Sequence, residues 1–242
     1  MMLCGSLFNL QERHRLPEQM DQVDLPADDH RAALTSLARL NWYSRSSQIL
    51  AGPIQQTAAA QPGTRPLRVL DLACGGGDVL LSLARRMQRW GLKIEWTGLD
   101  ISDVAVAHAR EQAKLLSLPV QFLQADVLHG DWPKHCDVVM CSLFLHHLDE
   151  SQALALLTRM GSEASQQVLI SDLKRSCIGY VLAQAACRLL SRSSVVHYDG
   201  PVSVAGAFTM AEVQALAEQA GLRQASVQAR WPQRWLLNWS RA

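Results

Sequence analysis

Short apolar runs alternate with amphipathic segments along most of the chain, and this alternation predicts the order of its elements. Buried parallel strands read as brief apolar runs, whereas amphipathic helices repeat their apolar positions every three or four residues. We predict strands within residues 67–72, 93–99, 119–124, 136–141 and 166–171. We expect helices from Asp78, from Ser102 or Asp103, from Asp149, over 177–190 and over 209–220. Regular alternation of strand and helix indicates a doubly wound α/β sheet.

The chain is expected to end in a hairpin and to begin with helices. Residues 222–230 and 233–240 are predicted to pair, with Trp231 and Pro232 in the turn between them. Before the first strand, apolar residues recur at helical spacing from about residue 28 towards residue 49, and Gly52–Pro53 is expected to break that helix. A loop over residues 61–66 then leads into the first strand.

Residues 191–206 are small and polar, and they predict a long loop. Loops of more than about 12–15 residues in a compact domain usually serve as lids or binding loops. We therefore expect a helical cap over residues 1–64 and an α/β domain over residues 65–242, with a substrate-lid insertion at about 175–206.

Composition excludes several classes of protein. The 242 residues carry 23 Lys and Arg against 22 Asp and Glu, so no basic field favours a nucleic-acid substrate. No apolar run approaches the roughly 18–20 residues of a membrane span, and the first ten residues lack the features of a signal peptide. The six cysteines show neither paired nor metal-ligand spacing. We expect a cytoplasmic protein with reduced cysteines and no metal.

The first strand runs into three consecutive glycines and a helix, which is the arrangement of a nucleotide-binding corner. A P-loop would need Gly-Lys-Ser or Gly-Lys-Thr, but Asp78 follows Gly77. A dinucleotide fingerprint that begins at Gly75 would need a glycine at the position of Leu80. The acidic Asp71 before the glycines would repel a pyrophosphate, whereas it suits a cationic ligand.

The pattern Asp71-x-Ala73-x-Gly75-x-Gly77 resembles motif I of the class I S-adenosylmethionine (SAM)-dependent methyltransferases, with Ala73 where that family usually has its first glycine. Asp100 ends the second strand, where an acid can accept hydrogen bonds from both ribose hydroxyls. The resemblance implies SAM as cofactor and a Rossmann-like seven-stranded sheet whose last strand is antiparallel. It further implies that Asp126 contacts the adenine amino group and that the Val127 amide contacts a ring nitrogen. The expected cofactor-binding residues are Asp71, Ala73, Cys74, Gly75, Gly77, Asp100, Ile101, Asp126, Val127, Cys141 and Ser142.

The segment after the fourth strand points to a small-molecule substrate. It lacks the Asn-Pro-Pro-Tyr or Asp-Pro-Pro-Tyr signature of methylases that act on nucleic-acid amino groups, and Cys141-Ser142-Leu143-Phe144 stands there as an apolar wall. In outline the chain is similar to ubiquinone/menaquinone-type and natural-product methyltransferases. We predict O-methylation of a phenolic or polyketide-like metabolite. C-methylation of a quinol precursor, a non-catalytic SAM-binding module and an oxidoreductase remain alternatives.

A neutral histidine is a suitable base for a phenol, and the sequence offers three candidates. His146 and His147 follow the fourth strand, and His197 lies in the expected loop; each could instead serve only in capping, packing or solvent contact. Substrate contacts are predicted for Trp42, Tyr43, Arg45, Asp172, Arg175 and Tyr198, although a solvated surface position is the simpler interpretation of Arg175. Residues 30–50 and 195–205 are predicted to close over the substrate as a lid.

Overall fold

A computed structural model describes residues 10–22, 24–61 and 65–241 of the chain. The strands are β1 (Leu67–Leu72), β2 (Ile94–Asp100), β3 (Val120–Gln124), β4 (Val138–Ser142), β5 (Gln167–Leu173), β6 (Ser226–Arg230) and β7 (Arg234–Ser240). The helices are α1 (Ala27–Tyr43), α2 (Ser46–Ala60), α3 (Asp78–Arg89), α4 (Asp103–Leu115), α5 (Glu150–Glu163), α6 (Cys177–Leu190), α7 (Ser194–Gly206) and α8 (Met210–Gln219). Of the loop expected at 61–66, residues 62–64 lie outside the described residues.

The strands form one seven-stranded sheet in the order β3-β2-β1-β4-β5-β7-β6. The pairs among β1 to β5 are parallel, and β7 runs antiparallel to both β5 and β6. The order reverses direction between β1 and β4, the position at which open α/β sheets bind their ligands. The predicted Rossmann-like α/β sheet and its closing hairpin are confirmed, with Trp231 and Pro232 in the turn.

Alternate residues of the central strands enter two separate cores. Val69, Met140, Leu169 and Leu236 face α2 and α3, and we call this side the α2 face. Leu70, Cys141, Ile170, Trp235 and Leu237 face α5 and α8, and we call this side the α5 face. Because strand side chains alternate between faces, each polar residue at a strand end is assigned to one side of the sheet.

The helical break in the N-terminal part lies elsewhere than predicted. α1 ends at Tyr43, and Arg45 takes the left-handed conformation (φ 56°) immediately before α2. Gly52 and Pro53 lie inside α2, so the break predicted there is wrong. Pro53 lacks the amide of one helical hydrogen bond, a cost of about 3 kcal/mol. Burial of Ile49, Leu50 and Ile54 against the sheet, at about 1.5–3 kcal/mol each, offsets that cost.

The long loop predicted over residues 191–206 is also wrong, because residues 194–206 form α7. Gly200 and Pro201 suggested a loop, yet both lie within this helix. Buried residues on several sides of α7 hold it between α1, α6 and the N-terminal segment, and they include Val195, Val196, Val202 and Val204. The loop expected to contribute to the lid is therefore a packed helix, and its closure over a substrate stays a prediction.

No helix among the described residues is long and apolar enough to cross a membrane. Cys74, Cys136, Cys141 and Cys187 are buried free thiols, and Cys177 is exposed. Cys4 lies outside the described residues.

Candidate functional site

The glycine-rich turn joins β1 to α3 through a series of left-handed residues. Ala73, Gly75 and Gly77 have φ values of 52°, 53° and 76°. A Cβ at Gly77 would lie 2.8 Å from the Phe122 ring, so the turn requires glycine there. Ala73 adopts the left-handed conformation at a cost of roughly 1–2 kcal/mol, which fits a position where the resembled family has glycine. Gly77 immediately precedes α3, and Asp78 is the first residue of that helix, as expected.

Asp100 connects the end of β2 to this turn. Its Oδ2 accepts from the Gly75 amide at 2.7 Å, and its Oδ1 accepts from the Ser102 amide at 2.9 Å. Burial raises the pKa of Asp100, and the two amide hydrogen bonds oppose that rise. Each carboxylate oxygen retains a further lone pair, so the side chain can still accept hydrogen bonds from ligand hydroxyls.

Asp71 lies at the end of β1, and its side chain is only 1% exposed. Neither of its carboxylate oxygens has a hydrogen-bond partner among the described residues. Burial raises its pKa well above the ordinary value, and the nearby charges of Asp78 and Asp100 add to this effect. A buried carboxylate without a partner is costly, and a cationic ligand group would relieve that cost. The site therefore fits the ammonium group of SAM.

Asp126 and Val127, the predicted adenine contacts, follow β3. Asp126 accepts from the Leu128 amide at 2.8 Å and pairs with Nδ1 of His129 at 2.9 Å. The His129 contact lowers the pKa of Asp126. The Val127 carbonyl accepts from Nε1 of Trp132 at 3.1 Å. The Asp126 carboxylate thus orders its own loop, and its contact with adenine stays a prediction.

His146 lies in a single helical turn after β4, with carboxylates on both sides of its ring. Its Nδ1 lies 2.7 Å from Oδ1 of Asp172, and its Nε2 lies 3.5 Å from Oε1 of Glu18. Burial disfavours the charged ring, but the two carboxylates outweigh burial and raise the pKa of His146 to about 10. In this arrangement the ring keeps its proton at neutral pH, which suits an electrostatic role better than that of a base.

His147 is more open and is oriented by a different carboxylate. Its Nδ1 lies 2.9 Å from Oδ2 of Asp21, and its ring stacks on Phe144 with centroids 5.9 Å apart. Its Nε2 lies 3.9 Å from Oε1 of Glu18. A carboxylate on one ring nitrogen holds the tautomer that leaves the other free to accept a proton. This geometry favours His147 over His146 as a base.

Glu18 and Asp21 are functional candidates that sequence reasoning missed. They belong to an N-terminal segment held by α7, because Asp199 accepts from the Gln19 and Met20 amides at 2.7 and 3.1 Å. Ser203 donates to Glu18 at 2.6 Å. More than 120 residues separate these carboxylates from the histidines along the chain, so no local spacing could reveal them. Residues 15–26 are polar and interrupted by prolines, which by itself predicts only a chain extended over a surface.

Glu18, His146 and His147 also form a group able to hold a metal ion. One ligand atom of each residue lies within 4.8 Å of the others. The sequence predicted no metal, because its cysteines show no metal-ligand spacing. The pairing of protonated His146 with Glu18 accounts for the contact without an ion.

The other predicted catalytic and substrate-contacting residues differ in their surroundings. His197 is in α7, and its Nε2 lies 3.0 Å from the Ser191 carbonyl oxygen. Arg175 is buried, pairs with Glu212 at 2.9 and 2.6 Å and donates to the Ala207 carbonyl at 2.7 Å. The surface position expected for Arg175 is therefore wrong. Trp42, Tyr43, Arg45 and Tyr198 are exposed, and whether they contact a substrate stays a prediction.

Near the corner between α1 and α2, Arg234 at the start of β7 is buried. Its Nη2 donates to Ser44 Oγ at 2.9 Å and lies 3.5 Å from Asn41 Oδ1. Its Nε and Nη1 have no partner among the described residues. Burial lowers its pKa to about 10. This arginine was not singled out from the sequence, because a lone arginine beginning a strand gives no pattern.

A groove of about 630 Å³ lies between α1, α3 and α4, outside the strand-end site. Gly76 brings the groove to the outer side of the glycine turn, and Trp42, Arg85, Arg89 and Trp90 also line it. None of the three candidate histidines borders this groove.

Comparison with known proteins agrees with this geometry. Residues 69–163 match a methyltransferase domain family. A ubiquinone biosynthesis O-methyltransferase of Aeromonas salmonicida is 33% identical over 123 residues, which are 48% of this chain and 47% of that protein. One from Bordetella parapertussis is 28% identical over 177 residues, which are 71% of this chain and 67% of that protein. The chain thus spans about half the length of the Aeromonas relative.

Solved structures share the fold at low sequence identity. The plantazolicin methyltransferase BamL, in complex with a triazolic desmethylPZN analog and SAH, has a TM-score of 0.61 at 18% identity, over 88% of this chain and 96% of that one. Magnesium protoporphyrin IX methyltransferase from Synechocystis PCC 6803 with bound SAH has a TM-score of 0.55 at 18% identity, over 82% of this chain and 85% of that one.

Proposed function

The chain belongs to the class I SAM-dependent methyltransferases, and we propose that it transfers a methyl group from SAM to an oxygen atom of a small phenolic or polyketide-like molecule. The observation that carries the proposal is the buried, unpartnered Asp71 carboxylate beside the glycine turn, with Asp100 at the end of the next strand. Together they present acceptors for a cationic group and for ribose hydroxyls at the same edge of the sheet.

SAM supplies a methyl group that is already activated by the positive sulfur. The protein must therefore align the acceptor oxygen, exclude water and remove a proton. His147 is placed for proton removal, since Asp21 holds its Nδ1. Protonated His146, between Asp172 and Glu18, provides a fixed positive charge beside it. Curated relatives named for O-methyl transfer support transfer to oxygen over transfer to carbon.

In our proposal, the N-terminal cap over residues 1–64 supplies groups that hold His146 and His147 in place. Its segment around Glu18 and Asp21 lies against α7 and against the histidines. Arg13 donates to the carbonyls of His146 and Leu148 at 3.0 and 2.6 Å. We therefore assign residues 13–21 and α7 the role of a wall that encloses the acceptor. The unpaired cysteines fit the cytoplasm as the compartment, where thiols stay reduced.

Product analysis with isotopically labelled SAM tests the proposal. The purified protein is incubated with SAM labelled in its methyl group and a panel of phenols and quinols, and the products are examined by NMR and mass spectrometry. We expect a labelled methoxy group. The His147→Gln variant should turn over about 10²–10⁴-fold more slowly, whereas the matched His197→Gln variant should keep most of its activity.

Other outcomes would contradict parts of the proposal. A label on ring carbon would identify C-methylation of a quinol-type precursor. SAM binding without turnover of any acceptor would favour a non-catalytic SAM-binding module. Binding of NAD(H) in place of SAM would indicate an oxidoreductase. Equal rates for the two histidine variants would remove His147 as the base.

A further inference from the structure

One side of α6 is apolar and exposed to solvent. Four residues form it, and we call them the apolar stripe: Ile178, Val181, Leu182 and Leu189. Their exposed fractions run from 42% at Leu182 to 83% at Leu189. Intervals of three, four and seven residues place these side chains on one side of the helix. The buried Cys187 meets α7 at Gly200 instead, so α6 packs against α7 and leaves the stripe uncovered.

The charged residues that flank the stripe are all cations. Three of them lie in α6 or just beyond its ends: Lys174, Arg188 and Arg192. Among the described residues, no carboxylate forms a salt bridge with any of the three. The sequence between Asp172 and Asp199 contains no acidic residue, and both of these aspartates are buried. The surface around the stripe therefore carries uncompensated positive charge.

Neighbouring elements add a further cation and two exposed aromatic residues. Arg39 of α1 donates to the carbonyl oxygen of the last residue of α6 at 2.8 Å. Tyr198 is exposed on α7, which packs along α6. Trp231 is exposed in the β6–β7 turn, where the Gln233 side chain accepts from Ser176 at the start of α6. Tyrosine and tryptophan favour the boundary between water and lipid, because each combines an apolar ring with a polar group.

We propose that the apolar stripe binds the surface of an anionic lipid bilayer, with α6 lying in the plane of the interface. Helices that bind in this way bury an apolar side at the boundary of the acyl chains, while their basic residues attract anionic headgroups. With 14 residues α6 is too short to span the bilayer, so the binding is peripheral. A second copy of the chain fits less well, because a two-fold interface would bring the same unpaired cations of both copies together.

Flotation of the full chain with lipid vesicles tests the proposal. Vesicles of phosphatidylcholine alone, and of phosphatidylcholine with phosphatidylglycerol, are mixed with the wild-type protein and with the variants Leu189→Gln and Arg188→Gln. Leu115→Gln is the matched control for the leucine, because Leu115 is 71% exposed on another helix, α4. Arg85→Gln, at an exposed position of α3, is the control for the arginine. Thermal unfolding checks that each variant is folded.

We expect the wild-type protein to float with the vesicles that contain phosphatidylglycerol and to bind them less at high salt. Leu189→Gln should weaken this binding at least about tenfold, since a leucine no longer enters the lipid. Arg188→Gln should weaken it about fivefold, as loss of one cation near an anionic surface predicts. Both control variants should bind like the wild-type protein.

Absence of binding to the anionic vesicles overturns the inference, as does equal binding to the two vesicle compositions. Equal losses in Leu189→Gln and Leu115→Gln also overturn it, because the binding would then not depend on the stripe. Sedimentation of the same proteins distinguishes the other occupant. A dimer that Leu189→Gln dissociates, in a protein that does not bind vesicles, would assign the stripe to a second copy of the chain.

Discussion

At the scale of single residues, the candidate site depends on charged groups that are buried in pairs. Asp172 and Glu18 hold His146 in its charged form although burial opposes that charge, and their own pKa values are lowered in return. A group whose pKa is raised on folding stabilises the folded state most at a pH below its unfolded-state pKa. This contribution to the free energy of unfolding falls as the pH rises towards the folded-state pKa. His146 therefore links stability to pH above neutrality.

The sign of this linkage is defined by the raised pKa of His146. Its contribution is fully present below about pH 6.5, where the ring is protonated in both states, and it is lost as the pH rises towards about 10. In urea unfolding, the wild-type free energy of unfolding should fall by up to about 1.4 kcal/mol per pH unit across this range, relative to His146→Gln. Parallel pH profiles for the two proteins would contradict the account.

Residues that belong to a local sequence motif could be predicted from the sequence, whereas residues that only the fold brings together could not. Asp71, Gly75, Gly77 and Asp100 could be found, because a strand, a tight turn and the next strand's end constrain their spacing. Glu18, Asp21 and Arg234 could not be found in this way. Their roles arise from contacts made across more than 120 residues of chain, and isolated polar residues carry no periodicity that would single them out.

At the scale of elements, two helices contain a Gly-Pro pair that local propensity assigns to a break. Tertiary burial decides in both cases: α2 packs on the sheet, and α7 packs between helices. Strands, caps and the last hairpin were predictable because local preference and burial agree there. The capping boxes of α5 and α8, formed by Asp149 with Gln152 and by Thr209 with Glu212, are examples.

The contact between α6 and α7 gives a prediction at this scale. A Cβ at Gly200 would collide with Sγ of Cys187, so Gly200→Ala should destabilise the protein by about 1–3 kcal/mol, as overpacking does. In a Cys187→Ala background the same substitution should cost much less, because the obstructing sulfur is gone and alanine favours helix. Chemical unfolding of the four proteins measures the coupling. Equal effects of Gly200→Ala in both backgrounds would show that this contact does not hold α7.

At the scale of the whole molecule, the sheet separates two sets of groups. The α2 face carries Asp71, whose unpartnered carboxylate we assign to the ammonium group of the cofactor. The α5 face carries Asp172, which with Glu18 holds His146. The N-terminal part serves both sides, since α2 packs on one face and the segment around Glu18 reaches the histidines. Removing residues 1–50 would therefore also take Ile49 and Leu50 from the core.

Calorimetric titration with SAM of the wild-type protein and of Asp100→Asn tests the central claim most directly. Asp103→Asn is the matched control, because Asp103 is an exposed acid three residues further along. Asparagine has only one acceptor oxygen and no charge, so Asp100→Asn should lose at least one charge-assisted hydrogen bond, worth about 1.5–3 kcal/mol, and bind SAM at least about tenfold more weakly. The control should match the wild-type protein. Unchanged affinity in Asp100→Asn, or no SAM binding by the wild-type protein, would contradict the account.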